Sequence, residues 1–197
     1  MDLDIASEPT RLDSRSTSQA DAPSRPIAFA TSKSSLGTVL VARSARGVCA
    51  ILIGSQAGEL TADLAAQFPD SALAQNDEKL AGDLEKILRF IETPAGGLDL
   101  ELDIRGTPFQ RRVWDALCAI PSGRTVTYAA LARRIGEPGS ARAVANACAA
   151  NAIALVIPCH RVVRSDGTLS GYRWGEERKR ALLAREARDD CAVRSGG

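Results

Sequence analysis

The sequence predicts an α/β chain in two parts, a small N-terminal domain with a three-stranded sheet and a mostly helical C-terminal domain. Three observations predict this. Most short β-rich runs lie before Arg105, later apolar residues mostly recur at helical spacing, and a helix, glycine turn, helix pattern lies between Thr127 and Ala150. The 197 residues, 45% hydrophobic and 25% charged, suffice for a buried core.

Met1 to Arg25 is rich in Ser, Asp, Arg and Thr without apolar periodicity and is expected to be a disordered tail. Thr38–Ala42 and Val48–Ile53 read as strands joined through Arg43 to Gly47. Glu59–Gln67 and Asp77–Ile91 have helical spacing, the second with Leu80, Leu84, Ile87, Leu88 and Ile91 on one face. Leu98–Ile104 alternates strictly and reads as a third, half-exposed strand. The first domain is therefore placed at 26–105.

The second domain, 106–190, opens with Pro108 at a helix start. Phe109, Val113, Trp114, Leu117 and Ile120 follow at helical spacing until Pro121-Ser122-Gly123. Thr127 can cap a helix carrying Tyr128, Leu131, Ala132 and Ile135. After Gly136-Glu137-Pro138-Gly139, Ser140 can cap another from Ala141 to about Ala150. This is a helix-turn-helix signature. Its second helix is alanine-rich and presents one long cation, Arg142; packing in a core would suit Val144 and Ala147 but not that arginine. Ile153–Ile157 reads as a buried strand, and Gly167, Gly171 and Gly175 mark a loop with tight turns. Glu176–Ala187 reads as a last helix with Leu182 and Leu183 inward and basic residues outward; 191–197 is expected to be a second disordered tail.

Pro158-Cys159-His160-Arg161 follows the buried run, and His160 is the only histidine. A lone base beside a cysteine is what activated-thiolate chemistry requires, so Cys159 is expected to be ionised within a pocket. Adjacency in extended chain does not ensure contact, and a bridging water serves equally well. A histidine base needs a partner to fix its tautomer. Glu186, on the inward side of the last helix, is the candidate, although a solvated helix-end carboxylate fits as well. Asn151 could cap the alanine-rich helix in the left-handed conformation or tie that helix to the cysteine loop. Tyr128 and Tyr172, the only tyrosines, flank these elements.

Residues 105–188 carry 15 basic and 6 acidic residues, against 10 and 18 in the remainder, which points to a polyanion partner for the second domain. No apolar stretch approaches the roughly 20 residues of a membrane span, and the N-terminus has no secretory pattern. Five cysteines without a CxxC pair favour a reducing cytoplasm. One histidine and scattered thiols offer no zinc cluster, so neither metal nor cofactor is expected.

The residues from Pro26 to Ala187 resemble the O6-alkylguanine-DNA alkyltransferases (methylated-DNA–protein-cysteine methyltransferases). The resemblance is strongest at Thr107-Pro108-Phe109-Gln110, Arg142-Ala143-Val144, Asn151, Ile157-Pro158-Cys159-His160-Arg161-Val162-Val163, Gly171-Tyr172 and Leu182-Leu183-Ala184-Arg185-Glu186. Asp166 to Gly175 looks especially like the catalytic portion of Ada-type proteins. The resemblance implies an RNase H-like α/β first domain and a winged-helix-like second domain. It further implies a single-turnover transferase that flips O6-alkylguanine, and O4-alkylthymine, from duplex DNA and takes the alkyl group onto Cys159.

His160 would be the base through water, Glu186 its orienting partner and Asn151 the brace of the loop. Tyr128, Arg142, Ala143, Val162, Tyr172 and Arg173 would contact DNA and the alkylated guanine, with Arg142 filling the vacated stack. The backbone carbonyls of Cys159 and Val162 and the loop around Tyr172 and Arg173 would read the guanine edge. A monomer without an obligate protein partner is expected. The zinc module and activator domain of Ada-type regulators are not read in this sequence, so no sensor or activator role is expected. Two rivals share some of these features, a Cys-His-Glu hydrolase with turnover and a non-catalytic DNA binder with a buried thiol.

Overall fold

The computed structural model describes residues 26–94, 97–169 and 171–195; the tail expected over Met1 to Arg25 lies outside them, as do Gly196 and Gly197. The described residues form a mixed α/β protein with one four-stranded sheet, a two-stranded one and helices around them. Three long strands, β1 (Ile27–Ser34), β2 (Gly37–Ser44) and β3 (Gly47–Gly54), run as an antiparallel meander. After α1 (Ala57–Gln67), the short β4 (Leu73–Gln75) joins in parallel beside β1, giving the order β3-β2-β1-β4. The helix α2 (Asp77–Glu92) packs on β1 and β2, burying Leu80, Leu84, Ile87, Phe90 and Ile91, with Leu88 only half-buried.

The expected three-stranded sheet thus has four strands, and its membership differs. Ile27–Ser34 is a strand that the residues did not announce. Leu98–Ile104 is not a regular strand; it touches the sheet at one bridge, Val48 to Leu102. There Val48 N donates to Glu101 O and Val48 O accepts from Asp103 N, both at 2.8 Å. The close approach explains Gly47, which has φ +141° and whose added Cβ would fall 2.6 Å from Glu101 O.

β3 is an edge strand, and its free edge binds the two halves together. Ile51 N donates to Ala152 O at 2.9 Å and Ala154 N to Ile51 O at 3.0 Å. The run Ile153–Ile157 is therefore a buried turn joined to β3 by one bridge, not the expected strand. Leu155 within it sits at φ +71°, a left-handed conformation that costs a branched residue about 1–3 kcal/mol and is held here by burial.

In the second half, α3 (Pro108–Cys118) starts with a full capping box, Thr107 with Gln110, and buries Val113, Trp114 and Leu117. Thr127 caps α4 (Tyr128–Arg134) through Ala130 N at 3.1 Å. α5 (Ala141–Ala149) does begin after Ser140, but that hydroxyl makes no cap hydrogen bond. Trp114 Nε1 donates to Ala147 O at 2.9 Å and locks α5 onto α3. Two-residue strands β5 (Val126–Thr127) and β6 (Val162–Val163) pair in parallel beside the helix-turn-helix. α6 runs from Glu176 to Ser195, well past Ala187, so the expected tail from 191 is helical backbone through Ser195.

Candidate active site

Three segments converge on Cys159. Residues 159–161 form a 3₁₀ turn between the strained Leu155 turn and β6. Asn151, just beyond α5, is fully buried and does not adopt the left-handed cap. Its Nδ2 donates to Ile157 O at 2.9 Å and to Cys159 Sγ at 3.3 Å, while its Oδ1 accepts from Ile153 N at 2.8 Å. One side chain thus ties the end of α5 to both ends of the turn and to the sulfur.

α6 contributes the carboxylate. Lys179, Leu182 and Glu186 share its inward face at helical spacing, while Leu183 is half-buried. Glu186 Oε1 lies 2.8 Å from His160 Nε2, and both residues are buried. Arg161 adds Nε at 3.1 Å from both carboxylate oxygens and Nη2 at 2.9 Å from Oε1; Gly123 N donates to Oε2 at 3.2 Å. Burial alone would raise the Glu186 pKa, but the hydrogen bonds from His160 and Arg161 outweigh it and hold the carboxyl at about 2. An ionised carboxylate can only accept, so His160 Nε2 carries the ring proton and Nδ1 keeps its lone pair. Burial lowers the His160 pKa despite Glu186, which keeps the imidazole neutral. Nδ1 has no hydrogen-bond partner in the protein, as a base awaiting a proton requires.

The thiol corrects one expectation. Cys159 is 4% exposed, and burial pushes its pKa up to about 11, opposed by the Asn151 hydrogen bond and by Lys179. The resting sulfur is a thiol, not a standing thiolate. A nucleophilic role for this sulfur would require its proton to be removed as it reacts.

Between α4, α5 and the glycine loop runs a groove of about 540 Å³ lined by Tyr128, Arg142, Ala145, Asn146, Arg164 and Gly171, among others. Cys159 does not line it, so the expected purine-admitting pocket is not open to the sulfur in this structure. A Cβ built on Gly171 would lie 3.4 Å from Tyr128 Oη, which places the hydroxyl against the glycine loop. Burial pushes the Tyr128 pKa up to about 12, keeping that hydroxyl a proton donor. Arg142 and Ala143 stand exposed on the outer face of α5. Among the described residues, the side chains of Arg124, Arg133, Arg134, Arg142 and Arg164 make no hydrogen bond or ion pair. These, with the exposed Arg180, belong to the free part of the basic excess. Much of the rest is spent internally, as in Arg112 with Glu137 and Arg185 with Ile91 O.

Two expected contact residues are already engaged. The Arg173 guanidinium grips Asp63 of α1 at 2.8 and 2.9 Å, and Val162 O accepts from Lys179 Nζ at 2.6 Å. Cys159 O likewise accepts from Val162 N. Tyr172 is buried edge-on to His160, with ring centroids 6.4 Å apart and its hydroxyl unpartnered. Arg161 and Lys179 were not foreseen as site residues. Arg161 lies in the motif itself, whereas Lys179 was placed outward although it precedes Glu186 by two helical turns.

Among the described residues no helix is long and apolar enough to cross a membrane, and no group of metal-ligating side chains assembles. Residues 108–188 match the family described as 6-O-methylguanine DNA methyltransferase, DNA binding domain. The chain is 49% identical over 164 residues to the bifunctional transcriptional activator/DNA repair enzyme Ada of Escherichia coli, covering 83% of this chain but only 46% of that protein. It thus spans about half the length of that relative. It is 47% identical to the methylated-DNA–protein-cysteine methyltransferase of Mycolicibacterium paratuberculosis, covering 60% of this chain and 72% of that one. The crystal structure of Mycobacterium tuberculosis OGT in complex with DNA superposes with a TM-score of 0.65 at 35% identity, covering 82% of this chain and 94% of that one. With the Cys159, His160 and Glu186 geometry beneath these likenesses, the chain belongs to the family of methylated-DNA–protein-cysteine methyltransferases.

Proposed function

We propose that this chain repairs duplex DNA by moving the alkyl group of O6-alkylguanine, and of O4-alkylthymine, irreversibly onto Cys159. The observation that carries this reading is the buried line from Glu186 through a neutral His160, with a free Nδ1, to a thiol held by Asn151. Water passes the thiol proton to His160, and the imidazolium so formed is held against Glu186. The sulfur attacks the alkyl carbon, the carbon–oxygen bond breaks with its electron pair leaving on oxygen, and the Tyr128 hydroxyl assists the leaving guanine. Asn151 holds the loop throughout. The product thioether is a poor leaving group, so one protein repairs one lesion.

The partner is duplex DNA, in keeping with a relative crystallised with DNA and with the unpaired arginines around the groove. The helix-turn-helix of α4 and α5 docks through small residues such as Ala143, and Arg142 fills the gap left by an everted nucleotide. Base eversion costs a few kcal/mol, which such a substitute partly offsets. It also requires the contact between Tyr128 and Gly171 to open onto the sulfur. The lesion edge meets the backbone around Tyr172 and the spare lone pairs of Cys159 O and Val162 O, while the Arg173 side chain stays with Asp63. In this reading residues 26–105 form an RNase H-like domain and 106–190 a winged-helix-like one, supported by the antiparallel meander and by β5 and β6 flanking the helix-turn-helix.

Arg142→Ala is expected to slow transfer from duplex about tenfold or more while leaving transfer from free alkylguanine base unchanged, because only the duplex substrate needs eversion. Single-turnover rates with both substrates check this. Equal slowing of the two would remove Arg142 from the eversion step.

A further inference from the structure

Lys179 has no exposed surface, which is rare for lysine, and its one hydrogen bond goes to the neutral Val162 O. Among the described residues no carboxylate pairs with it. Glu186 is taken by His160 and Arg161, and Glu176 sits on the exposed first turn of α6. The other groups around the cluster offer no anion at neutral pH. Tyr128 of α4 and Cys148 of α5 are each pushed up to about 12, Tyr172 well above its ordinary value, and Arg173 is a cation. A buried ammonium without a counter-charge is costly. Cys159, whose thiol feels Lys179, is the neighbour that becomes anionic during the reaction.

We propose that Lys179 is the counter-ion of the Cys159 thiolate, a positioning residue that stabilises the charge left on sulfur when His160 takes its proton. The charges then pair off, thiolate with ammonium and imidazolium with Glu186. Bond formation to carbon sends the electron pair to the guanine oxygen, leaving the thioether neutral and Lys179 again without an anion. The hydrogen bond to Val162 O holds Nζ at the end of the 3₁₀ turn that begins at Cys159, where Val162 N also bonds Cys159 O. This inference deepens the proposed transfer reaction and rests on Cys159 as its acceptor, yet the thiolate can be titrated without DNA.

The test follows iodoacetamide labelling of Cys159 against pH, by peptide mass, in the unaltered protein and in Lys179→Met, Lys179→Gln and Lys179→Arg. The Met and Gln variants are expected to shift the labelling midpoint upward by about one pH unit, with transfer about tenfold slower at neutral pH, while Arg restores part of both. Gln retains a donor for Val162 O, so a role confined to that bond would leave its pH profile unmoved and overturn the proposal. Should Met and Gln fail to fold, nitrogen NMR of Lys179 Nζ in the unaltered protein decides. An Nζ titration midpoint that falls in Cys159→Ser supports the counter-ion, and a midpoint unchanged by that substitution refutes it. A protein that labels as expected yet transfers nothing from DNA would sink the repair reading and leave this one standing.

Discussion

Cys159→Ala is expected to give a folded protein that binds DNA and forms no covalent product. In the proposed reaction the Cys159 sulfur is the nucleophile, so its removal ends transfer outright. The fold has little reason to fail. Sγ is one acceptor of Asn151 Nδ2, which keeps its bond to Ile157 O at 2.9 Å, so truncation strands no buried polar group. Loss of one buried heavy atom costs about 1 kcal/mol. The arginines that face the groove are untouched, so affinity for alkylated duplex should stay within about twofold. Gel-shift titration and counting of alkyl groups on protein check both halves. Transfer retained by the variant would move the acceptor to another thiol, such as the buried Cys148, and would overturn the assignment.

Glu186→Gln should be the most damaging change to the support of the site. It leaves Arg161 facing a neutral amide in a buried setting, and breaking such a pair typically costs about 3–5 kcal/mol. The amide can also turn its NH₂ toward His160, which removes the bias for the tautomer with Nδ1 free. Transfer is expected to fall about a hundredfold, as for loss of a general base.

The same residue sets the acid limit of stability. Its folded pKa of about 2 lies below the ordinary 4.5, so its contribution is fully present above pH 4.5 and is lost as pH falls toward 2. His160 acts in the same direction. Its lowered folded pKa means the unfolded chain binds the proton more readily, so stability declines as pH falls below 6.5. Denaturant unfolding across this range should show a steep acid limb in the unaltered protein and a shallower one below pH 4.5 in Glu186→Gln. Parallel limbs would mean that Glu186 is not held ionised by its partners.

The parts of this site readable from sequence are those with local rules. Cys159, His160 and Asn151 lie within a short motif, and Glu186 follows from the helical spacing that puts Leu182 inward. The same spacing reaches Lys179, but charged residues are usually placed in water, and only the packed helix shows that this one is not. The ionisation state of Cys159 was misread, because burial is a property of the whole fold. Strand β1 was missed because Ala28, Ala30, Ser32 and Ser34 give little β signal, and its pairing with β4 closes over distant residues. Leu98–Ile104 alternates as a strand should, yet β3 offers one free edge and Ala152 to Ala154 occupies part of it. Register along a shared edge is decided by competition that a single segment does not reveal.

The most direct measurement is the mass of the peptide bearing Cys159 after the intact protein meets duplex DNA containing O6-methylguanine. One methyl group is expected on that peptide, with repair ending when each protein molecule carries one. An unmodified peptide despite bound DNA, or product formed beyond one equivalent, would contradict it.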